Sequence, residues 1–106
     1  MGMHVSHGPN QYGQLYRSYT GIAEFGRELA HVLSAQDWNL IRHLFDGKRR
    51  WDDELVSPAI ARKMAAVFRK AADHPKITPA GLKDAREFAA AADYAARLGE
   101  PWTWSG

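Results

Sequence analysis

Between residues 20 and 98 the apolar side chains recur three and four positions apart, while at both ends of the chain they alternate with polar ones. The first spacing lines one face of a helix and the second one face of a strand. Ile22, Phe25, Leu29, Val32 and Leu33 predict a first helix over residues 20–34, with Ser18 or Thr20 as its hydroxyl cap. Gly26 inside it costs about 1 kcal/mol relative to alanine, or makes room for another backbone. A second helix opens at Ser34 and carries the stripe Trp38, Ile41, Leu44 and Phe45. Asp37 suits the positive end of its dipole, and Asp46-Gly47 stops it. The third helix has the clearest start. Ser57 caps it and Pro58 takes the first position, where a missing N–H costs nothing. Ile60, Met64, Val67, Phe68 and Ala71 face its core, and His74-Pro75 ends it. Thr78, Pro79 and Gly99 repeat this punctuation around a fourth helix with the stripe Leu82, Ala85, Phe88 or Ala89, Ala92, and Ala95 or Ala96. Alanines crowd residues 89–96 and leave a thin surface that another helix can approach to about 8 Å.

The ends obey the other period. "PWTWS" (101–105) puts Trp102 and Trp104 on one face and Thr103 on the other. A lone strand leaves its backbone groups unpaired, and "MHVS" (3–6) is the one good partner. The stretch "HGPNQYGQLYRSYTG" (7–21) is expected to be an ordered loop, with glycines and Asn10 for turns and tyrosines for packing. "GKRRWDDELVS" (47–57) is a connection with one or two extended residues at Leu55 and Val56. The expected fold is therefore mainly α: one domain over residues 1–106, built of four helices with a small two-stranded ribbon joining the termini. The ribbon's tryptophans pin the C-terminus to the core. The competing expectation is an exposed Trp102/Trp104 platform for a partner.

Composition narrows the chemistry. The chain has 106 residues, room for one domain, and no cysteine, which removes disulfides, thiol nucleophiles and Cys-based zinc sites. No apolar run approaches the roughly 20 residues that span a bilayer, and the N-terminus lacks the basic and apolar regions of a signal peptide. "MGMHVS" satisfies the N-myristoylation pattern, which is too short to set a location. These features predict a cytoplasmic protein with no membrane partner. A net charge of +2 falls short of the excess that marks a dedicated nucleic-acid binder.

Sites of known type were sought in turn. His4 and His7 are three apart on a strand and diverge, and His31 and His43 lack a third ligand of suitable spacing. Were Met1 removed, His4 would stand third from a free amine, a copper- or nickel-chelating arrangement common to any such chain. "DDE" (52–54) follows "KRR" as a solvated charge cluster, no G-x-S-x-G is present, and "HGPNQYGQ" lacks the Lys-Ser/Thr of a phosphate loop. No catalytic residue, metal ligand or cofactor is assigned, and the expectation is a non-enzymatic protein.

Two binding readings remain. Lys48, Arg49, Arg50 and Trp51 join positive charge to an aromatic ring, suited to phosphate contact and base stacking. Arg62, Arg69 and Lys70 add charge to the third helix, on what is otherwise its ordinary solvent side. Against nucleic acid stand the acids at 52–54 and a connection, "ADHPKITP" (72–79), too long for a helix-turn-helix. Tyr12, Tyr16, Tyr19, Trp102 and Trp104 supply the large amphipathic rings that dominate protein interfaces. The preferred expectation is a protein-interaction or regulatory protein with an unidentified protein partner; nucleic acid is the alternative, and the alanine face leaves a homodimer open.

At "VSHG" (5–8), "AIARKMAAVFRKAADHP" (59–75) and "REFAAAADYAARLGEPWTWS" (86–105) the chain resembles a family of short, uncharacterised actinobacterial proteins. These have an SHG-like start and a W-x-W-S tail after an Ala-rich helix. The resemblance implies a bacterial or phage-borne cytosolic origin and no assigned mechanism.

Overall fold

The computed structural model describes residues 2–46 and 53–106. The chain runs through strands β1 (Gly2–His7) and β2 (Asn10–Ser18), then helices α1 (Tyr19–Val32) and α2 (Ala35–Ile41). A 3-10 turn (Arg42–Phe45) and strand β3 (Glu54–Val56) lead to helices α3 (Pro58–Ala72) and α4 (Pro79–Leu98) and strand β4 (Trp102–Ser105). All four helices start on a side-chain hydroxyl that accepts a backbone N–H three residues on. These bonds are Gly21 to Ser18 (3.0 Å), Asp37 to Ser34 (3.2 Å), Ile60 to Ser57 (3.4 Å) and Gly81 to Thr78 (3.1 Å). Each such cap contributes about 1 kcal/mol. Gly99 ends α4 in the left-handed region, φ 68°, where a side chain would be strained. The second helix is shorter than expected. It tightens after Ile41 into the 3-10 turn, which still buries Leu44. Gly26 makes room for a side chain rather than a backbone: a Cβ there would stand 3.0 Å from that of Phe45.

The terminal strands pair antiparallel as expected, with Val5 opposite Trp104 and His7 opposite Trp102. The ribbon is nonetheless too small a description. The sheet has four strands in the order β2-β1-β4-β3, all antiparallel. Residues 10–18, expected as a loop, form the nine-residue edge strand β2. The alternation that would have marked it is absent because its helix-facing residues include polar ones satisfied by α4. Arg17 reaches Asp84 (3.1 Å) and Glu87 (2.7 Å), with its guanidinium 5.6 Å from the Phe88 ring centroid. Gln14 donates to the Ala91 carbonyl at 3.0 Å. The fold is thus mainly helical with a sizeable sheet.

The helices cover one face of that sheet. Met3, Val5, Trp102 and Trp104 point into the core, with Leu15 packed beside them. Both tryptophans are fully buried. Their rings meet edge to face at 5.4 Å and join Phe45, Phe68 and Phe88 at 5.4–6.1 Å. Neither indole N–H has a hydrogen-bond partner among the described residues, so packing rather than directed polar contact holds the pair. The exposed Trp102/Trp104 platform is therefore corrected: burial of large rings, each a gain of several kcal/mol, draws both inward. The alanine face also turns inward. Ala85, Ala89, Ala91, Ala92, Ala95 and Ala96 are all buried within the chain, which withdraws that face from a homodimer contact.

Candidate functional site

Residues opposite one another in register share a face of the sheet. On the face away from the helices this gives two rows. Tyr16, His4 and Ser105 cross β2, β1 and β4; Ser6, Thr103 and Leu55 cross β1, β4 and β3. Tyr16 is 48% exposed and Leu55 69%. The His4 ring leans against Tyr16 at 4.8 Å. Ser6 and Thr103 are buried between these corners, and the Ser6 hydroxyl accepts the Gly13 N–H at 3.0 Å. None of the six residues is Lys, Arg, Asp or Glu.

Cavities also open elsewhere among the described residues. One, of about 450 Å³, is lined by Trp38, Arg42, His43, Phe45 and Asp46. Trp38 and Phe45 stack there at 5.9 Å and 28°. Another, of about 370 Å³, lies between α1 and the α3–α4 connection and is lined by Arg27, Glu28, His31, His74, Lys76 and Thr78, with Val32 beside them. Its wall is fixed by Glu28, which accepts from the Thr78 N–H at 2.6 Å and the Thr78 hydroxyl at 2.8 Å.

The expected site residues scatter. Lys48, Arg49, Arg50 and Trp51 lie outside the described residues. Tyr12 belongs to the start of β2, with its side chain outside the description. Tyr16 is on the outer sheet face; Trp102 and Trp104 are on the inner one. His4 and His7 diverge as expected. His7 turns to the α4–β4 corner, where it meets Glu100 at 2.6 Å and the Tyr94 ring at 5.3 Å. His31 and His43 line different cavities. Among the described residues no three His, Cys, Asp or Glu side chains are grouped to hold a metal ion, and no helix is long and apolar enough to cross a membrane. Leu55, His74 and Lys76 carried no motif. Their relevance comes from strand register and helix placement alone.

Fold and surface together define a helical domain with a four-stranded antiparallel sheet covered on one side. The chain belongs to the family described as Domain of unknown function (DUF7739), which matches residues 8–105. Comparison with curated proteins and with solved structures finds no match.

Proposed function

We propose that this chain is a small, non-enzymatic protein-interaction or regulatory domain that binds a partner protein through the outer face of its sheet. The observation that carries the reading is that none of the six described outer-face residues is Lys, Arg, Asp or Glu, with Tyr16 and Leu55 exposed on the two edge strands. The centres of protein interfaces are depleted in charge and enriched in aromatic rings. A surface built for phosphate would carry Lys or Arg there. The partner is a protein surface of uncharged, largely apolar residues that packs on the exposed Tyr16 and Leu55 side chains. The resemblance at "VSHG" and "WTWS" supports a cytoplasmic role in a bacterial, actinobacterial or phage setting.

A second reading rests on the stacked Trp38–Phe45 pair with Arg42 beside it. That cavity precedes Lys48, Arg49, Arg50 and Trp51 in sequence, a combination of rings and cations that suits single-stranded nucleic acid. Capture from the native host separates the two. The wild-type chain should retain a discrete protein after nuclease treatment, and a Tyr16→Asp/Leu55→Asp variant of unchanged fold should lose it. Retention by the variant, loss on nuclease treatment, or no discrete protein at all overturns the first reading. Loss on nuclease treatment supports the second.

A further inference from the structure

We propose that the cavity between α1 and the α3–α4 connection is a binding site for a small phosphate-bearing molecule, independent of the sheet face. Four nitrogen-bearing side chains from two separate segments line it: Arg27 and His31 from α1, His74 and Lys76 from the connection. Elsewhere, several cations on the surface are paired: Arg17 with Asp84 and Glu87, Lys70 with Asp37, Arg97 with Asp93. Arg27, His31 and Lys76 have no side-chain ion-pair partner among the described residues. Arg27 and Lys76 outnumber the one carboxylate of the lining, Glu28, and an anion seated there balances the excess positive charge.

The His74 ring is held in place. His74 Nδ1 accepts the Lys76 N–H at 3.1 Å. The neutral ring therefore carries its proton on Nε2, which remains a donor. The one acidic lining group, Glu28, has both oxygens engaged by Thr78. Those two bonds also fasten α1 to the start of α4, so the walls are set before a ligand arrives. The carbonyl end of α1, which opposes an anion, carries His31 in its last turn. Phosphate fits better than a carboxylate because its higher charge and three terminal oxygens can use an Arg fork, an ammonium and imidazole donors together. The volume of about 370 Å³ lies within the small-molecule range of roughly 300–1,000 Å³, more than a bare phosphate fills. Val32 supplies an apolar wall for the remainder of the ligand.

The probes are inorganic phosphate and glucose 6-phosphate, with glucose and acetate as controls, titrated into the full chain. The ring signals of His31 and His74 are followed by NMR. Both phosphate probes should shift these two signals saturably at millimolar concentration, with glucose 6-phosphate the tighter and both controls silent. Arg27→Ala/Lys76→Ala should weaken binding at least tenfold with the rest of the spectrum retained. Arg62→Ala/Lys63→Ala, the same charge loss on the exposed side of α3, should leave it unchanged. Absence of saturation, an equal response to acetate, or the same affinity in the Arg27/Lys76 variant overturns the proposal.

Discussion

Trp104 and Ser105 are neighbours in β4, yet they belong to two surfaces of opposite character. Trp104 and its row face the helices, where Val5, Phe45 and Phe88 close around it. Ser105 and its row, with His4 and Tyr16, face away. The inner face carries the aromatic core, with Arg17 and its acidic partners at the β2 edge. Among the described outer-face residues, Ser6, Thr103 and Ser105 bring hydroxyls, and Tyr16 and Leu55 are the exposed large groups, on opposite edge strands. Alternation by a single residue thus separates the face that holds the fold from the face proposed to meet another molecule, and a substitution at Tyr16 or Leu55 should leave the core intact.

The largest effect is expected from the tail. Deleting residues 101–106 removes β4, which lies between β1 and β3. Trp104→Ala alone should cost about 3–5 kcal/mol, against a total of about 5–15 kcal/mol for a domain of this kind. The truncated chain should show no cooperative melt by circular dichroism; a melt near the wild-type temperature would break the comparison at its inner face. Next is Arg17, which ties the edge strand to α4. Arg17→Ala should lower stability by about 1–2 kcal/mol in denaturant titrations, since its partners are half-buried charges. A double-mutant cycle with Asp84→Asn should return a favourable coupling. Thr78→Ala removes the cap of α4 and one bond to Glu28, and about 1 kcal/mol should go with it, read from the same titrations. The smallest effect belongs to the outer face. Tyr16→Ala and Leu55→Ala should each change stability by no more than about 0.5 kcal/mol, and a larger loss would make that face structural.

Legibility followed the range of the interactions. Ser57-Pro58, Thr78-Pro79 and Gly99 mark helix ends because capping is settled within three or four residues. The pairing of the termini was readable because Trp102, Trp104 and Val5 alternate strictly. β2 was hidden. Arg17 occupies a helix-facing position and Gln14, next to a shift in register, reaches α4, and the acids and carbonyl that receive them lie some 70 residues further along. β3 is three residues long, and Leu55 faces outward only because of its register with Thr103. The cavity between α1 and the α3–α4 connection had no local signature at all. Arg27 and His31 are separated from His74 and Lys76 by more than 40 residues, and the Glu28–Thr78 contact that brings the segments together is a tertiary one.

Site-specific photocrosslinking tests the division of the sheet most directly. A benzoylphenylalanine placed at Tyr16 or at Leu55 should form an adduct with a host protein, while the same residue at Arg62 on the solvent side of α3 should not. A common protein adduct from both outer-face positions is the predicted result. Adducts of equal yield from Arg62, adducts with nucleic acid only, or none from Tyr16 and Leu55 would contradict it.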